Sequence, residues 1–240
     1  MNRTQSLFTT TGLKLIAVIS MLIDHFGAAF FVIYTSYYDS SQDFAGADLI
    51  YQVLRGVGRT SFPIFCFVLV EGFYHTRNRY RYLARLFVFS VLSEIPFDLA
   101  LRGSLWEIGT QNVFFTLWIG CTTLLLIEKV RGCGRGDRVF RTSLSIVIGM
   151  AGMLFAYFLK TDYSAYGVLL ILIFYLFRSD RGKACLCGFL CMIWEWLCFP
   201  AFLLLYHYNG QKGKNLKYFF YLFYPLHLLV LYGLRLLALQ

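Results

Sequence analysis

Residues 20–28 read SMLIDHFGA and set Asp24 beside His25 in the middle of an otherwise apolar run. A neutral imidazole can take the proton from an amine or hydroxyl as that group attacks a carbonyl carbon. A carboxylate can hold the ring's tautomer and stabilise its cation. Neighbours on a helix project about 100° apart, so Asp24 is not expected to orient His25 within their own helix. If His25 is the base, its carboxylate comes from another helix, with Glu94 the candidate, and Asp24 turns to a cation such as Arg59. Glu71, Glu195 and His227 also fall within apolar runs. Each such group costs on the order of 3 kcal/mol at the bilayer centre unless paired or facing water. Asp24 and His25 lie roughly 15 Å of helix rise beyond Lys14, and Glu94, Glu195 and His227 are similarly central. Polar groups at one depth on several helices predict a shared polar cavity. The alternative is a set of buried hydrogen-bonding groups that fix helix packing.

A second cluster is basic. YHTRNRYRYLAR (74–85) interleaves His75, Arg77, Arg79, Arg81 and Arg85 with tyrosines. Guanidinium groups donate two hydrogen bonds at once and suit phosphate, although a loop that fixes membrane topology has the same composition. RGCGRGDR (131–138) has glycine and charge but lacks the Lys-Ser/Thr of a phosphate-binding loop. Pro96 and Pro225 free the carbonyls of Leu92 and Tyr221 beside Glu94 and His227, so kinks are expected there. Arg59, Gln111 and Asn112 are candidates for contacting an acceptor or an oxyanion, with helix-end hydrogen bonding the equal alternative. Cys185 and Cys187 have no matching His pair, so free thiols are expected and metal ligation is not.

The elements that must position these residues are membrane helices. The chain is 58% hydrophobic and 15% charged, with mean hydropathy +0.61. Apolar runs long enough to cross roughly 30 Å of hydrocarbon recur throughout. The expectation is an all-α, polytopic helical bundle forming one domain, with about eight spans. They are placed at residues 13–34, 59–76, 82–101, 113–129, 142–160, 163–177, 184–206 and 217–237. The first is read as a retained span rather than a signal peptide. Basic residues gather on alternate loops, Arg3 and Arg135 among them, which places both termini in the cytoplasm. The loop holding Asp39, Asp43 and Asp48 then faces outward, and GQKGKNLK (210–217) is the one loop against this arrangement. The net charge of +9 follows from that distribution and gives no reason to expect nucleic acid. No internal repeat of the transporter kind is visible.

LKLIAVISMLIDH (13–25), GRTSFPIFCFVLVEGFYHTRNRYRYLARLFVFSVLSEIPFDL (58–99), QNVFFTL (111–117) and the closing FYPLHLL (223–229) resemble the TraX-like family. That family is named for an enzyme that acetylates conjugative pilin and is related to the transmembrane acyltransferases. The resemblance implies a multi-pass protein of the bacterial inner or plasma membrane that transfers acetyl from acetyl-CoA, with His25 as base. It implies donor binding by Arg81 and Arg85, the positions matching an arginine pair in the wider acyltransferase group. In the mechanism this suggests, Arg77, Arg79, Arg81 and Arg85 hold the nucleotide end of the donor, with Glu71 and His75 beside its path. The acceptor is an amine or hydroxyl on a pilin-like protein or a surface glycan, the other partner is membrane lipid, and no metal is needed. The rival functions are a transporter and a non-catalytic assembly protein using the same buried groups.

Overall fold

The computed structural model describes residues 8–37, 44–133, 137–214 and 216–238. Its helices are α1 (Thr10–Tyr37), α2 (Phe44–Gly58), α3 (Ser61–His75), α4 (Arg79–Leu101), α5 (Val113–Gly132), α6 (Arg138–Phe158), α7 (Ser164–Leu176), α8 (Arg181–Cys191), α9 (Phe199–Tyr206) and α10 (Lys217–Ala238). A 3-10 segment, Ile193–Cys198, precedes α9. Among the described residues there is no β-strand, only the isolated bridges Phe8–Tyr208 and Gln111–Thr161. The chain is all-α, as its apolar runs predict.

Five stretches among the described residues are long and apolar enough to cross a membrane: Thr10–Phe30, Asp48–His75, Val113–Gly132, Arg138–Phe158 and Tyr218–Ala238. Two shorter apolar stretches, Ser164–Leu176 and Ile193–Tyr206, accompany them. One expected span, 184–206, is not a single helix. It breaks at Glu195, whose φ of −112° and ψ of 53° are non-helical. Pro200 lies at the start of α9, where its missing N–H costs nothing and its ring discourages helix behind it. The expected acidic loop near Asp48 is also corrected, because residues 44–58 form α2. Both proline-bearing helices, α4 and α10, continue through Pro96 and Pro225. Arg3, Asp39, Asp43 and Arg135 lie outside the described residues.

The chain divides into two compact units. The first comprises Met1–Phe65, Ser93–Glu107 and Ile193–Gln240. Its α1 packs on α2 and α10 and buries Leu13, Ala17, Val18 and Met21, while α10 buries Leu228 and Leu231. The N-terminus of α1 is tied to the loop before α10, so the two candidate spans run parallel and end together at the far side, which corrects the expectation that both termini share one side of the membrane. Thr10 N donates to the Gln211 carbonyl (2.8 Å) and Thr11 N to the Lys212 carbonyl (3.2 Å). These bonds satisfy groups that a helix start otherwise leaves orphaned.

The second unit comprises Cys66–Leu92 and Ile108–Met192. Here α5, α6 and α7 pack together around Ile119, Leu124, Leu170, Ile171 and Phe174. A Cβ at Gly152 of α6 would overlap the Thr123 side chain of α5, the close approach that small residues permit between apolar helices. The outer face of α6, with Ile146, Val147, Met150 and Leu154, is exposed, as suits contact with lipid. Asn112, Asp137 and Asp180 cap α5, α6 and α8. The Lys183 amide, donating to Asp180, holds that carboxyl below the usual carboxylate range.

Candidate functional site

In the first unit, α1 and α10 bring His25 and His227 within one hydrogen bond. His25 Nδ1 and His227 Nε2 stand 2.7 Å apart, with ring planes 5° from parallel. His227 Nδ1 lies 2.8 Å from the Phe223 carbonyl oxygen, which can only accept. Nδ1 therefore carries the proton of neutral His227, and Nε2 is left as an acceptor. His25 Nδ1–H must donate to it, so the lone pair of His25 is on Nε2. A carbonyl one turn back in α10 thus fixes the tautomer of a ring two hydrogen bonds away. Both imidazoles are buried, His25 to 9% and His227 to 6% exposure. Phe223 stacks on His227 at 4.8 Å between centroids, and Tyr224 meets both rings edge-on.

Asp24 faces a cation. Arg55 Nη1 of α2 is 2.5 Å from Asp24 Oδ2, and the same oxygen is 3.9 Å from His25 Nε2. That is too long for a hydrogen bond, so the carboxylate lies beside Nε2 without accepting from it. Gly58 closes this corner, because a Cβ there would overlap Asp24. The cation is Arg55 where Arg59 was suggested. Arg59 pairs instead with Glu195 (3.0 Å), at the non-helical residue that breaks the 193–198 segment. The Nδ1 partner of His25 is likewise His227 where Glu94 was expected. Glu94 is buried in α4 at 4% exposure. One turn on, buried Asp98 accepts from the Glu107 backbone N–H at 2.9 Å.

The predicted donor-binding residues belong to the second unit. Glu71 Oε1 meets Arg178 Nε at 2.9 Å, and its other oxygen lies 3.6 Å from His75 Nε2. Arg178 lies over the Tyr74 ring at 4.1 Å, and Tyr74 stacks on Tyr175 at 5.7 Å. Arg131 covers Tyr175, and Arg79 covers Phe73 at 4.8 Å while pairing with Glu128. Arg85 lies over Tyr82, whereas Arg77 and Arg81 are exposed. Asn112 is fully buried. Its Oδ1 accepts from Phe114 N and its Nδ2 donates to the Ser90 carbonyl (2.8 Å), the helix-end alternative. Gln111 exchanges backbone bonds with Lys160 and Asp162.

Sequence reasoning missed Arg55, Asp98, Glu128 and Arg178. Arg55 could have been found from α2's own spacing. Leu49, Ile50, Val53 and Val57 recur at helical intervals, which turns a supposed loop into a helix carrying Arg55 near its end. Nothing local in the sequence points Arg178 at Glu71.

A protein described as probable fimbrial assembly protein FimC, serogroup H1, from Dichelobacter nodosus is 29% identical over 254 residues, covering 93% of this chain and 94% of the relative. No solved structure matches. The family model described as TraX protein matches residues 9–235, well beyond the motifs in the first half of the sequence. The chain belongs to the TraX protein family.

Proposed function

We propose that this chain is a multi-pass membrane acetyltransferase that moves acetyl from acetyl-CoA to an amine or hydroxyl acceptor. The observation that carries the reading is the hydrogen-bonded series His25–His227–Phe223 carbonyl, which leaves His25 Nε2 as an oriented, unprotonated nitrogen. In this reaction the acceptor's N–H or O–H proton passes to His25 Nε2. The acceptor atom bonds to the acetyl carbon and the carbon–sulfur bond breaks. The imidazolium then returns its proton to the departing thiolate, so His25 ends as it began. His227 positions the base, and the Asp24–Arg55 pair sets the charge beside Nε2. Arg77, Arg81 and Arg85, with Arg178, are the groups assigned to the donor's phosphates.

The experiment uses purified full-length protein in nanodiscs with radiolabelled acetyl-CoA and, as candidate acceptors, a pilin-like peptide with a free N-terminus and a membrane glycan extract. Label transfer that His25→Ala abolishes, with the unfolding temperature unchanged, supports the enzyme. Transfer that persists in His25→Ala removes His25 from the reaction. The name of the Dichelobacter nodosus relative favours a second reading, a non-catalytic role in assembling a fimbria-like structure. That reading gains if no acetyl-CoA binds and a chain carrying His25→Ala still supports assembly in cells.

A further inference from the structure

The first unit contains a groove of about 770 Å³ lined by Leu22, Ile23, Phe26 and Leu54 on one side and by residues of α10 from Phe219 to Leu234 on the other. Every lining residue is apolar except His227. Leu22, Phe26, Leu222, Leu226 and Val230 are exposed, and α1 and α10 are both candidate spans, so the groove opens toward the surroundings of membrane helices.

One end of it is cationic. Phe220, next to the lining residue Phe219, lies under Lys14 Nζ at 5.4 Å. Thr11 Oγ1–H, as donor, lies within reach of the carbonyl oxygens of Lys212 (2.8 Å) and Lys214 (2.6 Å). This places the 210–214 loop, with the exposed side chains of Lys212 and Lys214, over the start of α1. Residues 1–23 and 196–240 contain no Asp or Glu at all. Among the described residues no carboxylate pairs with any of these three lysines. The distribution of basic residues predicts this loop on the outer side, opposite Lys14; here it lies over the start of α1, on the same side as Lys14.

The volume of this open groove suits extended chains better than a helix. A helix is about 10–12 Å across, so this space equals roughly 7–10 Å of helix, under two turns. An alkyl chain, about 5 Å across by carbon contact distances, would fill it with roughly 40 Å of chain. That is room for two lengths of half a bilayer core, roughly 15 Å each, with some to spare.

We propose that this groove seats an anionic diacyl lipid, its phosphate on Lys14, Lys212 and Lys214 and its acyl chains along α1 and α10. His227 lies seven residues beyond Phe220 in α10, about 10 Å deeper. The acyl chains therefore cover the open edge of His227 with hydrocarbon and keep water from its hydrogen bond with His25. This lipid is a bound component, not the acetyl acceptor, because its polar end is a full helix turn and more away from the imidazoles.

The test reads binding and uses no acetyl-CoA, so it stands whether or not acetyl transfer is observed. The full chain is placed in nanodiscs containing phosphatidylglycerol with a diazirine in its acyl tail, or phosphatidylcholine carrying the same tail, and labelled peptides are identified after irradiation. The expected result is several-fold more labelling by phosphatidylglycerol on residues 22–26 and 219–234, with equal labelling by the two lipids on the 146–154 face of α6. Lys212→Gln with Lys214→Gln, both on an exposed loop, raises the phosphatidylglycerol needed for half-maximal labelling about fivefold per lysine. Leu226→Trp with Val230→Trp fills the slot and removes the groove label while the α6 label stays. Equal groove labelling by the two lipids, or labelling indifferent to the lysine pair, reduces the groove to ordinary lipid contact and overturns the proposal. Displacement of the label by an apolar helical peptide, but not by unlabelled phosphatidylglycerol, assigns the groove to a protein partner and overturns it too.

Discussion

The two units hold their candidate site cations and imidazoles in different settings. In the first, His25, His227 and Asp24 are withdrawn from solvent, and each is held by a partner of fixed direction: a ring nitrogen, a carbonyl, a guanidinium. In the second, Arg178, Arg131, Arg79 and Arg85 spread their charge over Tyr74, Tyr175, Phe73 and Tyr82, and Arg77 and Arg81 are exposed. Withdrawn groups gain orientation, and losing one partner there strands another. Arginines stacked on aromatic faces are more open, Arg79 and Arg178 being 36% and 37% exposed, so their loss is expected to cost less stability while taking charge from a surface. The difference predicts which substitutions are severe.

The largest effect is expected at His25. Removing a general base typically costs about 10²–10⁴-fold in rate, so His25→Ala should drop acetyl transfer by that factor with donor affinity unchanged. Arg81→Gln with Arg85→Gln should do the reverse, weakening donor binding and leaving the rate at saturation. Equilibrium binding of labelled acetyl-CoA alongside turnover separates the two. A rate loss from the arginine pair that saturating donor does not restore would contradict the division of labour between the units.

Next in size is Arg55→Ala. It leaves the Asp24 carboxylate without its guanidinium in a largely buried corner. Breaking a buried pair costs about 3–5 kcal/mol, and partial exposure of the arginine brings this nearer 2–3 kcal/mol. Asp24→Asn combined with Arg55→Ala should recover most of it, because no stranded charge remains. Thermal unfolding in detergent reads both variants. A double variant as unstable as the single one would mean that Arg55 acts through packing rather than charge.

How much of this was legible beforehand follows the same line. Apolar runs gave the helices, because length and hydropathy are local properties, and α1, α5, α6 and α10 lie close to their expected spans. Depth along the first and last spans also singled out Asp24, His25 and His227 as polar residues inside hydrocarbon. Partner choice was not legible. Pairing His25 with His227 needs residues 202 positions apart, and a few degrees of helix rotation would have given another partner. The Arg55–Asp24 pair was hidden because α2 was read as loop. The break at Glu195 was missed because Pro200, which signals it, sits several residues downstream in a run that remains apolar throughout.

His227 tests the tautomer argument at intermediate size. His227→Phe preserves ring packing on Phe223 but removes the acceptor of the His25 Nδ1 proton. His25 is then free to carry its proton on either nitrogen. Transfer should fall about tenfold, consistent with loss of one oriented hydrogen bond of about 1.4 kcal/mol. His227→Gln, whose side-chain oxygen can accept, should recover part of that. A merely structural role for His227 would show equal loss in both variants together with a lowered unfolding temperature.

The smallest effect belongs to Arg178. Its side chain is 37% exposed, His75 stays 3.6 Å from the Glu71 carboxylate, and its stacking on Tyr74 is worth about 0.5–1 kcal/mol, so Arg178→Ala should lower stability by about 1 kcal/mol. Its influence on donor affinity should exceed that, since a phosphate would share the same guanidinium. Arg178→Lys sharpens the point. A lysine keeps the charge but cannot lie flat on Tyr74 while presenting a directed N–H to Glu71. If Lys restores stability yet leaves acetyl-CoA binding weak, the planar fork matters for the ligand. If Lys restores both, only charge matters, and the second unit's aromatic plating serves packing rather than recognition.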